Sequence, residues 1–216
     1  MSNNKSITDV IGENIGENVL PLESSCSVHF INVGQGDSAL IISNNKTILI
    51  DAGEVNQDEV VCEYLEKYKI KKIDLLIGTH PHSDHIGGMS KVIKRFDIGK
   101  IVMPKVPDEI VPTSSVYTNL LKEIQKKNLK ITPAKTGDKY TFGAGTIEIL
   151  APIAKYNDLN NNSIVAKFTY GKKTFLFTGD IEKQAEKDIL NQYKSLKADV
   201  IKIAHHGSNT SSTQKF

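Results

Sequence analysis

Thr79-His80-Pro81-His82-Ser83-Asp84-His85 places three imidazoles and a carboxylate within six positions, directly after the apolar run Ile73–Gly78. Imidazole nitrogen and carboxylate oxygen are the ligand atoms that Zn²⁺, Mn²⁺ and iron accept. In an extended backbone, residues two apart project to the same side, so His80 and His82 can grip one ion. The chain must then turn, which lets Asp84 and His85 face a second ion. Gly87 and Gly88 permit a tight turn into a following helix.

Other residues could complete such a site. Asp180 follows the apolar strand Thr174–Phe177; its two oxygens could bridge two ions, or it could N-cap the helix expected from Ile181. His205-His206-Gly207-Ser208 ends Ala198–Ile203, which reads as a buried strand. Adjacent side chains of an extended chain point oppositely, so one histidine is expected to bind metal and the other to protonate a leaving group or touch an oxyanion. Spacing leaves open which does which. Asp51, at the end of the strand Lys46–Ile50, is expected to orient a ligand through a hydrogen bond. Gly34-Gln35-Gly36-Asp37 reads first as a hairpin turn, with Asp37 a candidate neighbour of the site. Asn160-Asn161-Asn162-Ser163 reads as a turn whose amides, Asn162 among them, could line a pocket.

The elements that must carry these residues alternate. Strands are expected at Ser27–Val33, Ser38–Ser43, Lys46–Ile50, Ile73–Gly78, Lys100–Met103, Lys139–Phe142, Thr146–Leu150, Ile164–Tyr170, Lys173–Phe177 and Ala198–Ile203. Helical spacing appears around Val60–Tyr68, Gly87–Phe96, Val116–Asn128 and Ile181–Tyr193. This mixture predicts an α/β sandwich with mixed sheets. A weak repeat runs through it. Thr47–Gly53 and Thr174–Asp180 each lead a strand into an acidic turn and a helix. A second strand with an Asp follows in each (Asp74, Asp199), ending at His80 or His205. The repeat favours His205 as the ligand of the terminal pair.

Composition excludes little beyond the extremes. The 216 residues fit one domain over 25–216 after a polar leader, 1–24, and a net charge of +2 supplies no electrostatic argument for nucleic acid. Cys26 and Cys62 read as unpaired small apolar side chains. There is no apolar run long enough to span a membrane and no secretion signal, a pattern that also fits a domain of a longer exported or membrane-anchored protein.

Taken together, the motifs resemble the metallo-β-lactamase superfamily. Phe30–Ser38, Asn161-Asn162-Ser163 and His205-His206-Gly207-Ser208 are similar, more narrowly, to its ComEC-type branch, which includes the hydrolase domain of DNA-uptake competence proteins; a phosphorylcholine esterase is also similar. The resemblance implies an αβ/βα four-layer sandwich of two mixed β-sheets flanked by helices, with two divalent ions, Zn²⁺ or Mn²⁺, along one edge. It implies that His80 and His82 hold the first ion, that Asp84 and His85 hold the second, and that Asp180 bridges them. One of His205 and His206 completes the set, and Asp84, His205 and His206 act in catalysis. The nucleophile would be a hydroxide on the ions, water there being acidified to a pKa of about 7. Many superfamily members place a further histidine where this chain has Asn160–Ser163, so Mn²⁺ is expected to compete with Zn²⁺. Relatives continue beyond His-His-Gly-Ser, whereas this sequence stops at Phe216, so part of the second sheet is expected to be missing. The implied activity is that of a phosphodiesterase or nuclease. A hydrolase of small esters (phosphorylcholine esters, lactones, thioesters) and a non-catalytic binding domain are the alternatives.

Overall fold

Short apolar runs separated by turn residues build the first sheet. A computed structural model describes residues 26–216; the leader expected over 1–24 lies outside them. The first three strands, β1 (Cys26–Phe30), β2 (Ala39–Ser43) and β3 (Lys46–Ile50), form an antiparallel meander. Helix α1 (Asp58–Lys67) crosses over to β4 (Lys72–Ile73) and β5 (Leu75–Ile77), and β5 pairs in parallel with β3. The one-turn helix α2 (Ser83–Ile86), then α3 (Met89–Arg95), β6 (Asp97–Ile98), β7 (Ile101–Met103), α4 (Ser115–Lys126) and β8 (Ile131–Pro133) complete this half. The sheet order is β1-β2-β3-β5-β7-β8, with β4 and β6 as a small separate ladder.

The second half contributes β9 (Lys139–Phe142), β10 (Gly145–Ala151), β11 (Val165–Tyr170), β12 (Lys173–Phe177), α5 (Lys183–Gln192) and β13 (Val200–Lys202), ordered β13-β12-β11-β10-β9. Strand alternation sorts the core into three layers. Ile48, Ile50, Leu75 and Ile77 face Ile147, Ile149, Ala166 and Phe168 between the sheets. Leu49 and Leu76 face outward onto Val61, Leu65, Ile93 and Leu120 of the helices. On the far side Leu176 and Val165 pack under Ala185 and Ile189. Each valine, leucine, isoleucine or phenylalanine among them, fully buried, contributes roughly 1.5–3 kcal/mol. The order of layers is therefore helix, sheet, sheet, helix.

The two halves share a local device. Asp74 Oδ2 accepts from Thr47 N at 3.0 Å while Asp74 N donates to Thr47 O at 2.8 Å. Asp199 Oδ2 accepts from Thr174 N at 2.9 Å while Asp199 N donates to Thr174 O at 3.0 Å. The two matched aspartates thus clamp the starts of β3 and β12 and lie away from the histidines.

Three expectations are corrected. Strand β1 ends at Phe30 rather than Val33, because residues 31–38 leave the sheet as a loop that carries Asp37 elsewhere. Strand β8, too short and too proline-bound to show a period, was not expected from the pattern. The last strand is not buried: among the described residues β13 is a sheet edge, with Val200 37%, Ile201 41% and Ile203 46% exposed. No helix among the described residues is long and apolar enough to cross a membrane.

Candidate metal centre

The chemistry-bearing residues all sit where strands of the two sheets end. Asp51 follows β3, Thr79 and His80 follow β5, Asp180 follows β12, and His205 and His206 follow β13. His82 is extended (φ −81°, ψ 153°) and caps the single turn α2, which carries Asp84 and His85. Backbone bonds tie these ends together: Asp51 N to Ile77 O at 2.8 Å, Ala52 N to His85 O at 2.7 Å, Ile164 N to Thr79 O at 2.8 Å and His205 N to Gly179 O at 3.1 Å.

One ligand atom from each of Asp84, His85, Asp180 and His206 lies within 4.8 Å of the others. His206 Nε2 is 3.2 Å from Asp84 Oδ2 and 3.4 Å from Asp180 Oδ2, and His85 Nε2 is 3.2 Å from Asp180 Oδ1. Beside this group His80 Nε2 lies 2.9 Å from His82 Nδ1 and 3.8 Å from Asp180 Oδ2. Asp180 therefore stands between the pair His80 and His82 and the trio Asp84, His85 and His206. His85 Nε2 and Asp180 Oδ1 are buried without a hydrogen-bond partner. Such orphaned atoms cost free energy unless something satisfies them. A divalent cation held by carboxylate and imidazole would do so, and the donor set fits one.

The histidines are oriented from outside. Asp51, left-handed at φ 59° and buried, accepts from Thr79 N and Thr79 Oγ1, both at 2.7 Å, and from His85 Nδ1 at 2.8 Å. A hydrogen on Nδ1 leaves the Nε2 lone pair for a cation. Asp37 Oδ1 stands 3.5 Å from His206 Nδ1, and its other oxygen is ion-paired with Lys202. The loop bearing Asp37 needs Gly36, since a Cβ there would fall 2.3 Å from Asp84 O.

Electrostatics divide the imidazoles into two kinds. Burial pushes His80 well below the ordinary histidine range and lowers His82 as well. Burial also opposes charge on His85, but Asp51 and Asp180 outweigh it and raise that residue well above its usual value. Hydrogen bonds to Asp180 and Asp84 raise His206 to about 9. Burial pushes Asp84 up, yet its bond from His206 and the charge of His85 prevail and hold it at about 2. Asp180 is held low for the same reason, its burial outweighed by His206 and His85.

Several expectations change here. Asp180 does not N-cap α5; the cap position is Glu182, and Asn161 Oδ1 accepts from Glu182 N at 3.0 Å and Ala185 N at 3.1 Å instead. His205 and His206 are not extended: both are left-handed, at φ 50° and φ 52°. The repeat favours His205, whereas in the structure it is His206 that stands with Asp84, His85 and Asp180 in the group of four. His205 Nδ1 lies 3.2 Å from Thr210 Oγ1 and 3.3 Å from Glu182 Oε1, with Nε2 3.9 Å from Asp180 Oδ2. Asn162 does not face a pocket; its amide bonds Tyr156 N and O and Asp158 O within its own loop. From that loop it is Asn160 that reaches out, donating from Nδ2 to Glu182 Oε1 at 3.2 Å. Thr79 and Lys202 were missed. The signal for Lys202 was present, a lone charge inside the apolar run Val200–Ile203.

A family model described as the metallo-beta-lactamase superfamily matches residues 31–216. The ComE operon protein 3 of Bacillus subtilis (strain 168) is 28% identical over 90% of this chain and 27% of its own length. The competence protein ComA of Neisseria gonorrhoeae is 27% identical over 90% of this chain and 26% of its own. The chain thus spans about a quarter of the length of these curated relatives. A B3 metallo-beta-lactamase with an active-site glutamic acid shares the fold at a TM-score of 0.62 and 16% identity, covering 90% of this chain and 81% of that one. The chain belongs to the metallo-beta-lactamase superfamily, within which ComEC-type competence proteins are among its curated relatives.

Proposed function

We propose that the chain is a hydrolase of phosphodiesters, nucleic acid among them, that works with two divalent ions, Zn²⁺ or Mn²⁺. The observation that carries this reading is Asp180, one oxygen facing His85 and the other facing His80 and His206. His80, His82 and Asp180 would hold one ion; Asp84, His85, His206 and the same Asp180 would hold the other. When bound, such a pair acidifies water and neutralises charge on the transferring phosphoryl group and the leaving oxygen. The chain's own residues do the rest. Asp51 and Asp37 orient His85 and His206. His205 is half-buried, with its Nδ1 side set by Glu182 and Thr210; its Nε2 is assigned the proton for the leaving oxygen. Relatives named for competence support nucleic acid over a small ester as the substrate.

The test is cleavage of single- and double-stranded DNA, RNA and bis-p-nitrophenyl phosphate with Mn²⁺ or Zn²⁺. Turnover of a phosphodiester, lost on chelation, is expected. A protein carrying two ions but inert towards all four substrates would defeat the reading, and a preference for acyl esters or thioesters would select a small-ester hydrolase.

The pKa directions add a second expectation. At neutral pH without metal, His206 is protonated, and its contribution to stability is present below the ordinary histidine value of 6.5 and lost as pH rises through about 9. His85, also raised, has the same sign. Metal-free protein should therefore melt at progressively lower temperature between about pH 7 and pH 9.5. Over the same range the gap to the loaded protein should widen, because ions and protons compete for these nitrogens. Calorimetric titration in buffers of different ionisation enthalpy should show proton release as His85 and His206 become ligands, and little for His80 and His82. Metal uptake without proton release would contradict the assignment.

A further inference from the structure

We propose that Lys202 is a positioning residue of this centre. By pairing with Asp37 it holds that carboxylate against Nδ1 of His206, and so fixes the imidazole whose other nitrogen faces Asp84 and Asp180. The inference rests on the two-ion reading above and assigns a task to residues at opposite ends of the described chain.

A lysine is rarely buried unless paired. The Lys202 side chain is 18% exposed, in a strand whose neighbours are valine and isoleucine. Its ammonium is ion-paired with Asp37 Oδ2 and lies 3.9 Å from Asp180 Oδ1. Among the described residues it is the one lysine or arginine paired with any of the four aspartates 37, 51, 84 and 180.

Asp37 is delivered with little freedom. Its N donates to Asp84 O at 3.0 Å, its O accepts from Gly53 N at 2.9 Å, and Gly36 before it has no room for a side chain. The carboxylate can still rotate, and Lys202 is what biases it. From the paired position Oδ1 reaches His206 Nδ1 at 3.5 Å and Oδ2 stands 3.8 Å from His85 Nδ1.

The two imidazoles differ in what else holds them. His85 has Asp51 at 2.8 Å and belongs to a helical turn. His206 sits on a left-handed backbone in the short kinked turn Ala204–Gly207, and among the described residues Asp37 is the carboxylate at its Nδ1. Loss of the Lys202 charge should therefore loosen His206 and spare His85, His80 and His82. The cavity of about 240 Å³ beside Lys202 has Ile31, Ala39, Ile50 and Phe177 in its lining as well as Asp37 and Asp51, so methionine, unbranched and uncharged, is the substitution chosen to remove the charge.

The experiment is calorimetric titration of metal-free wild type, Lys202→Met, Lys202→Arg and Asp37→Asn with Mn²⁺ and with Zn²⁺, beside the melting temperature of each metal-free protein. Wild type is expected to take up two ions. Lys202→Met should keep the first at wild-type affinity and bind the second roughly 10–100-fold more weakly, the usual range for an outer partner of a metal ligand. Lys202→Arg should restore most of the loss, and Asp37→Asn should reproduce it. A second-ion affinity within about twofold of wild type in Lys202→Met, or equal weakening of both ions, would overturn the proposal. Should Lys202→Met not fold, Asp37→Asn decides alone: a selective loss of the second ion supports the pairing and none refutes it. Wild type that binds fewer than two ions would instead unseat the two-ion reading on which the proposal rests.

Discussion

Asp180→Asn is expected to lower metal content from two ions per chain to at most one and to cut kcat/KM on bis-p-nitrophenyl phosphate by more than about 100-fold, the upper figure for losing a mere outer partner. The reason is geometric. Asp180 is buried, and its two oxygens face different imidazoles, His85 from Oδ1 and His80 and His206 from Oδ2. An amide keeps the shape but offers one oxygen and no charge, so it can serve one side only. Metal analysis of the purified variant beside its steady-state kinetics checks this. A variant with two tightly held ions and near-wild-type turnover would show that Asp180 is not the bridge.

Asp51 should give the second largest effect, and two substitutions there separate orientation from folding. Asp51→Asn can still accept from Thr79 N and tolerates the left-handed φ of 59°, but it brings no negative charge to His85 Nδ1. It should fold and lose roughly 10–100-fold in metal affinity or activity. Asp51→Ala removes three acceptor contacts, leaves Thr79 N buried without a partner and forces a Cβ into an unfavourable backbone region. The one orphaned Thr79 N costs about 1–3 kcal/mol and the left-handed alanine about 1–2 more, so a fall of roughly 2–5 kcal/mol is expected from denaturant melts. Equal stability of the two variants would mean that Asp51 acts on His85 alone and does not hold the loop.

Much of this site was legible because local periodicity carried it. His80 and His82 come together as the motif's spacing suggested, with Nε2 and Nδ1 2.9 Å apart, although the chain bends over residues 79–81 rather than running extended. Strand alternation separated Leu49 and Leu76 from Ile48, Ile50, Leu75 and Ile77, which is why the layer order follows from residue type. Other features depended on tertiary contacts that no local pattern encodes. His205 and His206 adopt left-handed angles, stabilised in part by the His205 N to Gly179 O bond across to β12, so the extended backbone expected for the pair does not form. Asp180 was ambiguous because its role turned on a helix start two residues later than the apolar pattern suggested. Strand β13 reads like a buried strand and is an edge, since exposure depends on neighbours rather than on composition. Asn162 and Asn161 differ by one position, yet one ties its own loop and the other caps α5.

The most direct measurement is anomalous diffraction at the manganese edge from crystals of the protein loaded with Mn²⁺. Two peaks are expected, one shared by His80, His82 and Asp180 and the other by Asp84, His85, His206 and the same Asp180. A well-ordered crystal with a single peak away from Asp180, or with the ions held by neither group of histidines, would contradict a centre assembled from both sheets.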